Sequence, residues 1–177
     1  MAKRQSSIEP EPNLEKLTSV RQEVREGDIF VIRPKGRDFY FGRIIKIGTK
    51  VGLLRDDDVR DYDRLIYIYN VHSGSKLPVP ELRVTNLLIR PLVINNTGWS
   101  RGYFEIVEHR NIESQDVPPV YCFEDSPGEY LDEMGRPLPE RVEPCGYWGM
   151  GSFRTVDAEV SDALGIPPAP DWINPGR

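Results

Sequence analysis

Runs of apolar residues with the period of β-strands dominate residues 26–110. The runs are rich in β-branched and aromatic residues, which favours strands over helices. They occur at 29–32, 39–47, 51–54, 65–71, 87–94 and 103–107. Pro34-Lys35-Gly36-Arg37 separates the first two runs and predicts a β-hairpin with a longer loop. About five or six short antiparallel strands are enough for a small barrel or a strongly bent sheet.

Apolar residues at helical spacing occur near both ends of the chain. Near the C-terminus they lie on one face of a helix that Gly165 and Pro167 would end, at Phe153, Val156, Val160, Ala163 and Leu164. Near the N-terminus they predict a short helix within 13–25, at Leu14, Leu17, Val20 and Val24. We therefore expect a mostly β fold: a small antiparallel sheet, strongly bent or barrel-like, with a C-terminal helix and a short N-terminal helix.

Proline and glycine organise the rest of a chain that we expect to form one domain. The 177 residues include 16 Pro and 15 Gly, and six of the prolines fall within 111–145. This segment predicts an acidic, proline-rich stretch that wraps the β core at 26–110. Residues 1–12 predict a disordered arm, and residues 146–177 predict a glycine loop, the helix and a tail.

The formal net charge of −5 is unevenly distributed. Residues 1–104 contain 18 Lys and Arg against 13 Asp and Glu, whereas residues 105–177 contain 5 against 15. An acidic C-terminal part disfavours nucleic acid as the main ligand, because phosphate neutralisation supplies most of that affinity. It favours a basic protein partner, or simply solubility.

The chain lacks the features of a membrane or secreted protein. It has no apolar stretch of about 20 residues, so we expect no membrane span. Its basic start leads into Glu9-Pro10-Glu11-Pro12 instead of an apolar signal region, which predicts a cytoplasmic protein. Cys122 and Cys145 are then expected to be reduced thiols.

Residues of the catalytic types are few. The two histidines, His72 and His109, cannot supply a binuclear metal site built on several imidazoles. A nucleophile pair of Cys122 and His109 is one hypothesis, and a small buried thiol at Cys122 is the other. We expect a protein without catalytic residues, cofactor or metal.

Acidic and aromatic residues are the candidates for binding a partner. Five carboxylates fall within eight residues, without the spacing of a calcium loop, at Asp56, Asp57, Asp58, Asp61 and Asp63. They predict either a loop that docks on a basic partner or an ordinary polar turn, since arginines interleave with them. Further acidic candidates are Glu124 and Asp125. The tryptophans Trp99, Trp148 and Trp172 are candidate anchors, with core packing as the alternative role.

Several of the predicted strands carry a further pattern. The segments are Gly27-Asp28-Ile29-Phe30-Val31-Ile32, Phe41-Gly42-Arg43-Ile44-Ile45, Ile66-Tyr67-Ile68-Tyr69, Leu88-Ile89-Arg90-Pro91 and Trp99 to Phe104. Together they resemble immunity protein family twenty-six, cytosolic antidotes of bacterial polymorphic-toxin systems, over roughly residues 26–110. The resemblance implies a mostly β fold that inhibits a toxin by direct binding. It implies no catalytic residues.

The leading hypothesis is therefore an immunity protein that neutralises a cognate toxin by stoichiometric binding. One alternative is an SH3-like barrel adaptor that binds a peptide or nucleic acid through a basic rim on the first hairpin, formed by Arg33, Lys35, Arg37, Arg43, Lys46 and Lys50. The other is a hydrolase of phosphotriesterase type, an activity also linked to the family, which two histidines support poorly. The toxin and the oligomeric state stay open.

Overall fold

The strand-forming runs build a six-stranded main sheet in the computed structural model, which describes residues 10–18, 23–53 and 60–169. In chain order its first five strands are β1 Asp28–Ile32, β2 Phe39–Thr49, β3 Arg60–Ser73, β4 Leu92–Ile94 and β5 Glu105–His109. The sixth is the short C-terminal strand β10, Met150–Gly151. Their spatial order is β10-β4-β3-β2-β1-β5. The hairpin expected between the first two runs is present, with Phe30 opposite Gly42 in the β1–β2 pair.

A second sheet lies largely within the proline-rich segment. Its four strands are β6 Cys122–Ser126, β7 Glu129–Leu131, β8 Pro137–Leu138 and β9 Cys145–Tyr147, in the spatial order β8-β7-β6-β9. β6 and β7 form an antiparallel hairpin, whereas β6 and β9 are parallel. The segment 111–145 therefore holds regular structure between its prolines.

Two α-helices accompany the sheets in the described part of the chain: α1 Thr97–Ser100 and α2 Phe153–Ala163. The predicted C-terminal helix is confirmed as α2. Ser152 caps its first turn, because its side chain accepts a hydrogen bond from the Arg154 backbone N–H. Gly165, with φ +64°, follows the helix and adopts a backbone conformation that other residues rarely take.

The main sheet is covered on both faces, because successive side chains of a strand point to opposite sides. On one face Phe30 and Ile68 pack in a cluster with Phe153 of α2. On the other face Tyr67 packs in a cluster with Phe123 of the second sheet. The molecule thus has a helical layer, the main sheet and the small sheet in succession. This arrangement places the second sheet against the middle of the main one.

The mostly β fold class is confirmed, but two of its expected details, a closed barrel and an N-terminal helix, are not found in the described residues. The main sheet is open and not a closed barrel, since β5 and β10 form its two edges. The predicted N-terminal helix is absent from the described residues 13–18 and 23–25. Leu14 instead forms an antiparallel bridge with Pro34 and is buried. Leu14 and Val24, two of the residues on which the helix prediction was based, are thus buried from stretches that are not helical.

Strand boundaries also differ from the prediction. Residues 51–53 form a turn instead of a short strand. Within 87–94 only the end, β4, is a strand, because Pro91 lacks the N–H that a longer strand would require. The last predicted strand of this region begins two residues later, at Glu105.

Candidate functional site

A groove of about 960 Å³ opens where the second sheet meets one end of β2. The turn at 50–53 forms one wall, and residues between 125 and 138 of the second sheet form the other. Trp148 and Gly149 line it between these walls. We call this feature the Trp148 groove. It is the strongest candidate site because it combines an aromatic ring, apolar side chains and exposed charges.

A close backbone approach at Gly52 joins the first wall to the Trp148 segment. A Cβ atom at Gly52 would lie 2.7 Å from the backbone nitrogen of Met150, and the φ of Gly52 is +75°. Both observations require glycine at this position. The walls are also bonded directly, since the Lys50 N–H donates a 2.8 Å hydrogen bond to the Glu133 carbonyl. The groove is therefore held open by backbone contacts.

The opposite wall is braced by two carboxylates. The buried Asp132 accepts hydrogen bonds from the backbone N–H groups of Met134 and Arg136, both at 2.9 Å, and thereby fixes the turn between β7 and β8. Glu133 binds Lys46 Nζ of β2 at 2.6 Å, which ties the same turn to the main sheet. Such supports fix the shape of a groove before any partner arrives.

Trp148 is held in place from two sides. Its ring packs edge-on against Phe123, with the ring centroids 6.5 Å apart. On the other side a Cβ atom at Gly135 would lie 3.4 Å from the Trp148 ring. The indole is half-buried in this position and still lines the groove. It therefore offers a fixed aromatic surface, of the kind that anchors protein interfaces.

The charge on the rim of the groove is mostly negative. Asp125 and Glu129 are exposed on the β6–β7 hairpin, and neither forms an ion pair with another residue that the structure describes. Glu124, beside them, lies 3.7 Å from Arg141. Lys50 on the facing wall is the one cation among the lining residues.

The acidic loop predicted from sequence lies mainly outside the described residues, which exclude Asp56, Asp57 and Asp58. Asp61 belongs to β3. Asp63 is completely buried within β3 and is not part of an exposed loop. Leu53, the last described residue before that loop, lines the Trp148 groove, as does Asp125. Of the predicted acidic residues, the structure therefore places Asp125 at the groove.

The three tryptophans have different environments. Trp99 of α1 is 2% exposed and packs edge-on against Phe30 and Phe104, with ring centroids 5.3 and 5.1 Å away. It is a core residue and offers no surface to a partner. Trp148 lines the groove, and Trp172 lies outside the described residues.

Sequence reasoning missed Glu129 and the shape of the groove. A signal for the first was available: Pro127-Gly128 between two short runs is typical of a hairpin turn, which would place Asp125 and Glu129 at one exposed tip. No local pattern shows that residues 50–53 lie against Trp148, because that contact depends on the packing of two sheets.

The proposed basic rim is not continuous. Arg43 is buried and binds Asp116 at 3.1 Å, while Lys46 binds Glu133. On the hairpin loop Arg33 and Lys35 lie near Glu15 and Glu11, at 3.7 and 3.1 Å. Arg37 is exposed. Since the sheet is also open, the structure does not support the SH3-like barrel with a basic binding rim.

Both histidines are within hydrogen-bond distance of neighbouring side chains. His109 Nδ1 lies 2.8 Å from Asp28 Oδ1, and its Nε2 lies 3.2 Å from Asn111 Oδ1. His72 Nδ1 lies 2.9 Å from Asp38 Oδ2. Both ring nitrogens of His109 are therefore engaged by its neighbours, and the structure does not assemble the Cys122–His109 pair.

The two cysteines lie beside each other inside the second sheet. Cys122 of β6 is the pairing partner of Cys145 of β9, and both thiols are free and buried. Burial raises the pKa of Cys145 to about 12, and a hydrogen bond with Cys122 contributes to the rise. A thiol in this state is a poor nucleophile. Among the described residues no group of three or more His, Cys, Asp or Glu is arranged to hold a metal ion.

The protein is mostly β, and its main surface feature is the Trp148 groove, whose walls are joined by backbone hydrogen bonding and an ion pair. A search of the described helices finds none with the length and apolar character needed to cross a membrane. The family model of immunity protein 26 matches residues 25–129, which is more than half of the chain, and the chain belongs to this family. The resemblance noted over 26–110 is thereby confirmed. No match was found among curated proteins or among solved structures.

Proposed function

We propose that this protein neutralises a toxin by binding it directly and stoichiometrically, without catalysis. The observation that carries the proposal is membership of the immunity protein 26 family, which implies a toxin as partner. The Trp148 groove supports it, because a braced groove with an aromatic anchor and a charged rim suits a protein partner. Burial of the thiols and the contacts of His109 favour binding over nucleophilic catalysis.

We also propose that the protein acts in the cytoplasm. Cys122 and Cys145 face each other across paired strands and remain free thiols. Disulfides form and persist mainly in oxidising compartments such as the periplasm. Two adjacent free thiols are therefore in keeping with a reducing compartment, where an antidote would meet the toxin inside the producing cell.

The test uses the toxin domain encoded beside this gene. Purified toxin is titrated with the protein while toxin activity and complex mass are measured. We expect activity to fall linearly to an end point at equal molar amounts, with a complex of matching mass. Toxin in about tenfold excess should keep nearly all of its activity however long the mixture stands, because each molecule of this protein binds one toxin molecule and inactivates no others.

Two outcomes would contradict the proposal. Absence of a complex at micromolar concentrations would exclude direct binding. Progressive loss of activity under toxin excess would indicate that one molecule inactivates many, as an enzyme does. Activity that recovers after the complex is dissociated in denaturant and refolded would support simple binding.

A further inference from the structure

We propose that the Trp148 groove is the docking surface for a segment of the toxin that presents an arginine or lysine side chain next to an apolar one. The inference rests on the proposed function and specifies where and how the toxin is bound. Three features support this: the chemistry of the lining, the unpaired charges of the rim and the bracing of the walls.

The lining suits an apolar side chain accompanied by a cation. Leu131, Met134 and Leu138 supply apolar surface, and the half-buried Trp148 supplies an aromatic one. Arginine stacks on an aromatic ring while its N–H groups bind carboxylates, and lysine makes the same contacts less specifically. A basic side chain entering the groove would find both kinds of partner.

The rim leaves two carboxylates available for that cation. Asp125 and Glu129 are exposed and form no ion pair with another described residue, so binding does not have to break an existing pair. Exposed acidic charges attract a basic partner and increase its association rate. Lys50 on the opposite wall is placed to bind a carbonyl or an acidic group of the same segment.

A second groove in the molecule shows the contrast. It has a volume of about 520 Å³ and is lined by residues that include Arg43, Arg83 and Asp116. Most of its charges are already paired within the chain, with Arg83 at 2.8 Å from Glu81 and Arg43 at 3.1 Å from Asp116. A partner binding there would have to compete with these pairs. In the Trp148 groove, by contrast, Asp125 and Glu129 form no ion pair with another described residue.

The family match covers one wall of the groove and only part of the other. Asp125 and Glu129 lie within the part of the chain that the family model matches, and so does the turn at 50–53. Residues from 130 onward, including Trp148, lie beyond it. The groove is therefore completed by the C-terminal extension of this chain. We expect that extension to contribute to the choice of toxin.

Gly149→Leu tests the shape of the groove. Gly149 lines it, is exposed, and a Cβ atom added there would have no atom within 4 Å. The leucine should occupy part of the groove without straining the fold. We expect the affinity for the toxin domain, measured by calorimetry, to fall at least about tenfold while the melting temperature stays unchanged.

The matched control is Gly74→Leu. Gly74 is also exposed and directly follows the last residue of β3, Ser73. A Cβ atom there would lie 3.9 Å from its nearest neighbour, an Asp38 oxygen. The Gly74→Leu variant should bind toxin as the native chain does. Equal affinity of Gly149→Leu and the native chain would overturn the inference while leaving the proposed function intact. Failure of the native chain itself to bind would overturn both.

Asp125→Lys tests the charge of the rim independently of shape. Asp162→Lys on α2 is its control, because Asp162 is also exposed and the change in net charge is identical. At low salt we expect the association rate constant to fall about three- to tenfold for Asp125→Lys only, and the difference to shrink as salt screens the charges. Equal rates for the two variants would contradict an acidic docking rim.

Discussion

At the scale of single residues, a buried carboxylate connects the N-terminal segment to α2. Asp157 is 4% exposed, and its Oδ1 accepts a 2.8 Å hydrogen bond from the Leu14 backbone N–H. Burial raises the pKa of Asp157, while backbone hydrogen bonds from Asn13 and Leu14 act in the opposite direction. The position of this carboxylate therefore has an electrostatic cost at neutral pH.

Asp157→Asn should stabilise the protein at pH 7, by on the order of 1 kcal/mol. The asparagine carbonyl can still accept the bond from Leu14, and no charge is buried. An aspartate with a raised pKa in the folded state loses stability as pH rises from about 4, the unfolded value, through its folded pKa. The advantage of the variant should therefore vanish near pH 4 and be complete at neutral pH. Urea unfolding across this range measures it.

Asp162→Asn on the same helix is the control, since this side chain is exposed. Its stability should follow the native chain at every pH. A difference between Asp157→Asn and the native chain that stays constant with pH would show that the carboxylate is not titrating as its burial requires. If Asp157→Asn became less stable relative to the native chain as pH rises, the direction of the pKa shift of Asp157 would be contradicted.

At the scale of elements, Arg43 fixes the segment after β5 to the main sheet. The guanidinium belongs to β2, is 3% exposed, and donates hydrogen bonds to the carbonyls of Arg110 and Asn111 at 2.9 and 2.8 Å. It also binds Asp116 at 3.1 Å. One side chain thus joins a central strand to the connection that leads to the second sheet.

Arg43→Met should destabilise the protein by about 3–5 kcal/mol, because it leaves the Asp116 carboxylate and two carbonyls without their donor. Burial raises the pKa of the neighbouring Tyr69, while Arg43 acts against that rise. Chemical unfolding measures the loss of stability.

Arg37→Met serves for comparison, since Arg37 is exposed in the loop between β1 and β2. Its stability should lie within about 0.5 kcal/mol of the native chain. If Arg43→Met were as stable as Arg37→Met, the buried ion pair would not be what anchors the segment at 110–116.

At the scale of the whole molecule, the fold is completed by residues beyond the family match. The match ends at Glu129, the first residue of β7. Past that point β9 pairs with β6, and β10 pairs with β4. Phe153, Val156 and Val160 of α2 enter the same core cluster as Phe30 of β1. The matched region therefore lacks part of the cover of one face of its own sheet.

A chain that ends at residue 129 should consequently fail to fold cooperatively. It loses β9, all of β7 except Glu129, and all of α2. We expect no sharp thermal transition, and binding of a hydrophobic dye to the exposed sheet. A cooperative transition in the shortened chain would show that the matched region is self-sufficient.

In the complete chain Phe153→Ala should lower the free energy of unfolding by about 3–5 kcal/mol, since Phe153 is 3% exposed and stacks on Tyr103 with the ring centroids 4.7 Å apart.

Much of the fold could be predicted from the sequence, because its signals are local. β-Branched and aromatic runs predicted β1, β2 and β3, and the turn residues between the first two predicted their hairpin. Apolar spacing and the terminal glycine predicted α2 almost to the residue. The strand motifs also resembled the right family, since they lie within the matched range.

The tertiary structure decided what depends on contacts between distant segments. Leu14 and Val24 have the spacing of a helix but are buried from the described stretches 10–18 and 23–25, which are not helical, because the sheet and α2 supply the surface that covers Leu14. Trp99 and Trp148 are indistinguishable in sequence, yet one fills the core and the other lines the groove. The groove itself exists because the Gly52 turn packs against the Trp148 segment, a contact set by the packing of two sheets.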